Sequence, residues 1–176
     1  MRWPAEAPTV RAERVTLRAM AEGDLGPRLV GWLSDPVVTR FSNQRFVEHS
    51  VERCRAYLEG MRAGGNWYAS IDLEGRPVGT LTAYLNRNHG TADIGILLGD
   101  REVWGKGLGQ EAWDAWAAAV LGLDGLRKLT AGTLADNEPM VRLMERSGFH
   151  LEGRRVAQEL VDGEPRDIVL YARFPA

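Results

Sequence analysis

The chain has 176 residues, a length that favours one domain with a core of its own. Its hydrophobic share of 44%, charged share of 26% and net charge of −2 are those of an ordinary globular protein. This charge disfavours a nucleic-acid partner, because chains that bind phosphate backbones usually carry a basic excess.

Cysteine and histidine usage argues against a disulfide framework and against a metal site. Cys54 is the only cysteine, so neither an intrachain disulfide nor a zinc-ligand spacing is possible. The histidines lie in separate segments, at His49, His89 and His150. No apolar run has the length of a signal peptide or of a membrane span. We therefore expect a cytoplasmic protein with no metal and no membrane partner.

In chain order, the first half of the sequence predicts strands and helices by periodicity. Val15 and Leu17 alternate as in a strand, and Leu25 and Leu29 have helical spacing. Ser50 is a suitable N-cap for the helix after it. The predicted elements are a strand at 13–19, a helix at 21–33, an irregular segment at 34–49, a helix from Ser50 to about Met61, and strands at 67–73, 77–85 and 91–98.

The second half predicts a β-α-β unit followed by a hairpin. Leu108, Ala112 and Trp116 lie on one face of a strong helix. The predicted elements are a helix at 108–121, a strand at 127–134, a helix at 138–146, and strands at 150–161 and 166–173 around an Asp162-Gly163 turn. Because hairpins precede the β-α-β unit, we expect an α/β (α+β) fold with a mixed, mostly antiparallel sheet. One domain should span 1–176, with its core at about 10–173.

The segment TADIGILLGDREVWGKGLGQEA, at 91–112, predicts a phosphate-binding loop. Three glycines, Gly105, Gly107 and Gly109, let the backbone approach a ligand closely, and free amides at the start of a helix suit a diphosphate. A P-loop would need Ser or Thr after Lys106. A dinucleotide fingerprint would need GxGxxG within a parallel sheet, and neither condition is met here.

WGKGLGQEA resembles the signature of the GCN5-related N-acetyltransferases (GNAT), with Gly107 and Gly109 as its glycines and Trp104 where Gln or Arg is usual. A second segment, from Asn137-Glu138-Pro139-Met140 to Ser147-Gly148-Phe149, is similar to the branch that includes the ribosomal-protein alanine acetyltransferases. The stretch RFSNQRF at 40–46 resembles relatives that acetylate nucleotide-linked amino sugars. This family implies helices on both faces of the sheet and a splayed strand pair at the cofactor site.

The resemblance implies acetyl-CoA as the cofactor and assigns residues to it. Main-chain groups of the strand before the loop would pair with the pantetheine arm, the loop would hold the pyrophosphate, and the next helix would contribute Asn137 and, near the adenosine, Arg142. The expected cofactor-binding residues are Ile96, Leu97, Leu98, Trp104, Gly105, Lys106, Gly107, Leu108, Gly109, Gln110, Asn137 and Arg142. Simpler roles stay open: core strand for 96–98, a solvated Lys106, and an N-cap for Asn137.

Two departures from the family pattern concern catalysis. Met140 replaces a usual Ser, and Met144 stands where many relatives carry the Tyr that protonates the leaving thiolate, so no general acid is assigned. Asp93 aligns with the general base of histone-acetylating relatives, and partial burial would raise its pKa. The alternative roles for Asp93 are a solvent-facing strand residue and a structural ion pair.

The implied reaction is direct acetyl transfer from acetyl-CoA to a primary amine. Candidate acceptors are an amino sugar nucleotide, a protein N-terminal amine and a small amine. The candidate substrate-binding residues are Asn43, Arg45 and Trp67, with Gln44 and His49 beside them. For these residues the alternative is a solvated loop, with Trp67 in the core. The alternative is a non-catalytic acyl-CoA-binding or sensor module. The sequence does not fix the oligomeric state, although an exposed Trp113 would indicate a homodimer surface.

Overall fold

A computed structural model describes residues 3–175 of the chain. The strands are β1 (Val10–Arg11), β2 (Val15–Ala19), β3 (Trp67–Leu73), β4 (Arg76–Asn86), β5 (Thr91–Leu98), β6 (Lys128–Leu134), β7 (His150–Val161) and β8 (Glu164–Arg173). The helices are α1 (Pro27–Ser34), α2 (Val51–Ala63), α3 (Leu108–Leu121) and α4 (Glu138–Arg146). The strands form one sheet in the order β1-β2-β3-β4-β5-β6-β8-β7. Only the β5–β6 pair is parallel.

The predicted order of elements is confirmed, with one addition and one correction. The short strand β1 was not predicted. The helix predicted at 21–33 is wrong in its first turns, because a 3₁₀ turn at Glu22–Asp24 precedes α1, which begins only at Pro27. Gly26 is extended, and Pro27 has no amide hydrogen, so a helix can start there but cannot run through it. The segment predicted as irregular contains a 3₁₀ turn at Asn43–Phe46.

Helices cover both faces of the sheet, and each face has its own core. On one face α3 packs closely, with Trp116 fully buried and its indole N–H donating to the carbonyl of Thr82 at 3.0 Å. On the other face Leu58 of α2 packs with Tyr68 of β3. Neighbouring residues of β3 therefore serve opposite cores, Trp67 the first and Tyr68 the second. Among the described residues, no helix combines the length and apolar composition needed to cross a bilayer.

The parallel strands β5 and β6 separate soon after they start. Their register runs only from the Thr91–Lys128 pair to the Asp93–Thr130 pair. Beyond that point β5 stays paired with β4 as far as Leu98, while β6 stays paired with β8. A gap therefore opens between the carboxyl ends of β5 and β6. This is the splayed strand pair implied by the family resemblance.

Candidate active site

Strand β5 presents unpaired main-chain groups to this gap at alternate residues. The amide of Gly99 donates to the carbonyl of Val78 at 3.0 Å, so odd-numbered residues direct their main-chain groups toward β4. Because these directions alternate along a strand, Ile96 and Leu98 face the gap. Leu97 was expected to do the same, but its carbonyl points toward Gly79 of β4. Leu97 therefore offers the gap no main-chain group.

The glycine loop follows β5 at the open end of the gap. Gly105 and Gly107 have φ of +72° and +79°, a left-handed conformation that L side chains rarely adopt, and Gly107 is the N-cap of α3. Within residues 3–175, the amides of residues 105–110 make no hydrogen bond. Together with the positive end of the α3 dipole, they form a site suited to an anion. Lys106 is exposed beside them.

One contact that sequence reasoning missed holds this loop to the start of the chain. The Glu111 carboxylate accepts from the main-chain amides of Arg14 and Val15 at 2.5 and 3.0 Å and from Arg14 Nε at 2.7 Å. Arg14 Nη1 in turn donates to the carbonyl of Lys106 at 2.9 Å. Burial opposes ionisation of Glu111, but the bonds from Arg14 and Val15 outweigh it and leave its pKa below the usual value. The feature of the sequence that could have indicated this contact is Glu111, an acidic residue in the first turn of α3.

Two further loop residues use their side chains for support. Trp104 donates its indole N–H to the carbonyl of Leu98 at 2.9 Å, which ties the loop to the end of β5. The Gln110 amide donates to Ser147 Oγ at 2.7 Å and so links α3 to α4. Leu108 is buried in the core. Trp104, Leu108 and Gln110 thus position the loop, and Leu108 and Gln110 can offer a ligand only their main-chain amides.

Helix α4 starts at the carboxyl end of β6, on the far side of the gap. Asn137 caps it, accepting from the amide of Met140 at 3.4 Å and donating to Thr133 Oγ1 at 2.9 Å. Arg142 is exposed and pairs with Glu138 at 2.9 Å. Met144 is fully buried. The position of the usual acid is therefore core, and no acid can act from it.

A cavity of about 440 Å³ opens on the α1/α2 face of the sheet and reaches β5. We call it the acceptor cavity. Its lining combines aromatic rings, hydroxyls and a few other polar groups contributed by α1, α2, β3, β4, β5 and the 34–49 segment. The lining residues are Leu33, Ser42, Gln44, Val47, His49, Arg53, Cys54, Tyr57, Tyr68, Thr80, Thr82, Tyr84, Gly95, Ile96 and Leu97.

Of the residues expected to line the substrate site, Gln44 and His49 line the acceptor cavity, whereas Asn43, Arg45 and Trp67 lie outside it. Asn43 donates to Glu159 at 3.2 Å, and Arg45 donates to the carbonyl of Leu160 at 3.0 Å, so both hold the 34–49 segment against the β7–β8 hairpin. Trp67 is buried on the opposite face, where its indole N–H donates to the carbonyl of Pro4. The period-two alternation of β3 gives the cavity Tyr68 instead. Trp113 is also fully buried, so it does not mark a dimer surface.

Asp93 lies on β5 at the point where the gap begins. It is directly opposite Tyr84 in the β4–β5 register, and Tyr84 lines the acceptor cavity. The Asp93 side chain is exposed, yet enough protein surrounds it for desolvation to raise its pKa. A hydrogen bond from Thr130 Oγ1 at 2.7 Å acts in the opposite direction. The carboxylate is thus fixed in orientation, with its proton affinity increased.

Known proteins share both the sequence features and the fold. Residues 14–150 match the family model of the acetyltransferase (GNAT) domain. This chain belongs to the GNAT acetyltransferase family. An uncharacterized N-acetyltransferase, p20 of Bacillus licheniformis, is 27% identical over 170 residues, which cover 93% of this chain and 94% of that one.

Solved GNAT structures superpose along almost the whole chain. RimL, a ribosomal L7/L12 α-N-protein acetyltransferase in complex with coenzyme A, gives a TM-score of 0.82 at 20% identity, over 95% of this chain and 98% of that one. MccE, a microcin C7 self-immunity acetyltransferase in complex with acetyl-CoA and AMP, gives a TM-score of 0.77 at 18% identity, over 92% of this chain and 93% of that one.

This GNAT protein is an acyltransferase, and acetyl-CoA is its cosubstrate. The structure fits that molecule on physical grounds. A diphosphate needs several donors at once, and the amides of residues 105–110 are free. An extended arm with amide groups needs an unpaired strand edge, which the main-chain groups of Ile96 and the amide of Leu98 supply; the Leu98 carbonyl already accepts from Trp104.

Proposed function

We propose that this GNAT acetyltransferase transfers the acetyl group of acetyl-CoA to a primary amine bound in the acceptor cavity. The observation that carries the proposal is the double role of β5. Ile96 lines the cavity and also directs its main-chain groups into the gap. An amine in the cavity and a thioester in the gap would therefore meet across a single strand, which brings the two reactants together before reaction.

The residues around the gap would hold acetyl-CoA mainly through the main chain. The amides of residues 105–110 would bind the pyrophosphate, with Lys106 adding positive charge. Ile96 and Leu98 would pair with the pantetheine arm. Asn137 would contact the arm with the amide hydrogen that its bond to Thr133 leaves free, and Arg142 would lie toward the adenosine.

The thioester supplies the electrophilic carbonyl carbon, and the protein supplies hydrogen bonds and a base. One of the gap-facing amides, that of Ile96 or of Leu98, would donate to the carbonyl oxygen on which negative charge develops, and such a fixed donor lowers the barrier. Asp93 would take the proton from the attacking amine. With Met144 in the core, the thiolate would leave without help from that position.

His49 is the second candidate for the base, because it lines the acceptor cavity directly. Its Nε2 lies 3.0 Å from the carbonyl oxygen of Gln44, and a carbonyl can only accept, so Nε2 carries a proton. In the neutral ring Nδ1 is then the acceptor. Asp93 remains the first candidate, because it lies on β5 beside the strand residues that face the gap.

A low-pKa amine suits a site with a single carboxylate base. An amine of pKa about 10.4, such as that of lysine, is neutral in about one molecule in two thousand at pH 7, whereas an α-amine of pKa about 8 is neutral in about one in ten. We therefore place protein N-terminal amines and amino sugars, including nucleotide-linked ones, ahead of lysine side chains. RimL and MccE show that this fold accommodates a protein α-amine acceptor in one case and a bound nucleotide in another.

The test combines a binding measurement with a turnover measurement. We expect calorimetric titration with acetyl-CoA to give micromolar binding, and addition of a suitable amine to release free thiol. Binding without thiol release for every amine offered would favour the sensor alternative. Faster turnover of lysine than of α-amines and sugar amines would contradict the proposed acceptor preference.

A further inference from the structure

The acceptor cavity has no carboxylate in its lining. Among the described residues that form it, the side chains are aromatic, aliphatic, hydroxyl, amide, thiol, imidazole and guanidinium groups. Asp93 stands just outside, at the β5 end, where its neighbour across the strands is Tyr84. A cationic acceptor held by its charge would require acidic side chains within the cavity. The lining therefore selects against polyamine-like acceptors.

The ionisable hydroxyls and the thiol of the cavity do not add negative charge. Burial raises the pKa of Tyr57, and a hydrogen bond with Tyr84, at 2.7 Å between the hydroxyl oxygens, raises it further. Burial likewise raises the pKa of Tyr68 and of Cys54. These groups keep their protons at neutral pH. They offer an acceptor molecule hydrogen-bonding groups and ring faces, but no anion.

Arg53 is the one guanidinium in the lining. It is exposed in the first turn of α2, and within the described residues its side chain has no hydrogen bond and no ion pair. Arg55, two residues further along α2, is instead paired with Glu22. Glu52, the preceding residue, is exposed and forms no ion pair with Arg53 within the described residues. A free cation thus lines a cavity that has no anion of its own.

We propose that the acceptor amine also carries an anionic group, a phosphate or a carboxylate, and that Arg53 binds it. This inference rests on the proposed function, since it concerns the same cavity and the same reaction. The guanidinium binds either oxyanion through paired N–H donors, and the positive end of the α2 dipole adds to the attraction.

Helix α2 and strand β5 then orient the acceptor between them. The anionic group would bind Arg53 on α2, and the amine would lie toward β5, where Ile96 and Asp93 are. An uncharged amine has only hydroxyls and ring faces to bind. Arg53 is therefore a specificity-determining residue, and its effect appears in the comparison of charged and uncharged acceptors.

The experiment measures kcat/KM by thiol release for matched acceptor pairs. Glucosamine 6-phosphate and glucosamine form the phosphate arm; two tripeptides that differ only in Glu or Gln at the second position form the carboxylate arm. We expect the anionic member of at least one pair to be preferred about 10-fold or more. Arg53→Gln should remove that preference, lowering kcat/KM for the anionic member about 10- to 100-fold and for the neutral member less than about twofold. The preference of Arg53→Lys should lie between those of the wild type and Arg53→Gln, since lysine keeps the charge but not the paired donors.

Arg55→Gln is the matched control, because it removes the same side chain from the same helix outside the cavity. It should change neither preference. Equal rates within both pairs, preference for spermidine over all of them, or an equal loss for both members in Arg53→Gln would overturn the inference and leave the proposed function intact. Acetyl-CoA binding with no thiol release for any amine would overturn the proposed function, and the inference with it.

Discussion

The loop at residues 104–110 and the acceptor cavity are built in opposite ways. The loop acts through main-chain amides that no group within residues 3–175 uses, in a conformation set by Gly105 and Gly107. The cavity acts through side chains gathered from three adjacent strands, two helices and the 34–49 segment. A site formed by main-chain amides accepts many different side chains but requires a specific backbone conformation. Because that conformation needs glycine at defined positions, the site leaves a short glycine pattern in the sequence. A side-chain site leaves no such pattern, which is why one fold can serve many acceptors.

Gly107→Glu should have the largest effect, because it alters the loop conformation and its charge together. A non-glycine residue at φ +79° costs about 1–2 kcal/mol, and the carboxylate would oppose a diphosphate at the free amides. We expect calorimetry to detect no acetyl-CoA binding and thiol release to fall to background.

Gly125→Glu is its control, since Gly125 has φ +72° and is exposed in the turn that follows α3. The strain is similar, but this turn lies at the opposite end of α3 from the glycine loop. Both variants should lose similar stability in thermal unfolding, and only Gly107→Glu should lose acetyl-CoA. Loss of binding in both would mean that the loop acts through global stability.

Asp93→Asn should have the next largest effect, on turnover alone. A positioned general base contributes about 10²- to 10⁴-fold, so we expect kcat to fall at least about 100-fold with the acetyl-CoA affinity unchanged. The wild-type kcat/KM should rise with pH as Asp93 loses its proton, and the variant should lack that step. If His49→Gln removes the step and Asp93→Asn does not, His49 is the base.

Asp93→Asn should lower turnover without lowering the stability of the fold at pH 7. A carboxyl with a raised folded-state pKa favours the folded state below its unfolded pKa, near 3.8, and that contribution is lost as the pH rises through the folded pKa. At pH 7 the charged Asp93 therefore costs stability that Asn does not. Urea unfolding should show Asp93→Asn to be at least as stable as wild type at pH 7, with no such advantage at pH 3.

Glu111→Gln tests the support beneath the loop and should have a moderate effect. Three donors converge on this carboxylate, so we expect a loss of about 1–2 kcal/mol in unfolding free energy and a several-fold weaker affinity for acetyl-CoA. Since the folded pKa of Glu111 is lowered, its stabilisation is complete above about 4.5 and is lost as the pH falls through the folded value.

The difference in unfolding free energy between the wild type and Glu111→Gln should accordingly become smaller at acidic pH. Glu22→Gln is the matched control, because Glu22 forms only exposed ion pairs with Arg55 and Arg62. It should cost a few tenths of a kcal/mol at most. A Glu111→Gln affinity equal to that of wild type would show that the loop holds its conformation without the Arg14 contact.

Trp104→Phe should have the smallest effect. It removes only the indole N–H that donates to the carbonyl of Leu98 and keeps most of the ring. One hydrogen bond at a partly exposed site is worth about 1 kcal/mol, so we expect acetyl-CoA affinity to weaken about two- to fivefold, as measured by calorimetry. An unchanged affinity would mean that the bond contributes nothing to the shape of the gap.

The sequence predicted the elements around the glycine loop better than it predicted those around the acceptor cavity. The strand at 91–98 and the helix at 108–121 have the predicted bounds, because their periodicity is strong and glycines end the loop. The start of α1 at Pro27 was missed because the leucine spacing extended through a proline. Trp67 was a candidate both for the substrate site and for the core, because only the pairing of β3 decides which face of the sheet its side chain takes.

Residue-level roles at the two sites differ for a physical reason. Gly105 and Gly107 could be recognised because a positive φ restricts the residue type. Arg53 could not be distinguished from Arg45 or Arg55, because its freedom depends on partners far away in the chain. Glu159 and Leu160 hold Arg45, and Glu22 holds Arg55. No local sequence pattern shows whether an arginine has an ion-pair partner elsewhere in the fold.

The contact between Arg14 and Glu111 has a consequence for folding. It joins residues 97 positions apart, and closing so long a segment is slow relative to forming a helix or a hairpin. The loop can reach its final shape only after the first strands have docked against α3. Acetyl-CoA should then bind several-fold more tightly to chains that have completed this long-range step, and a kinetic experiment that follows ligand binding during refolding would time it.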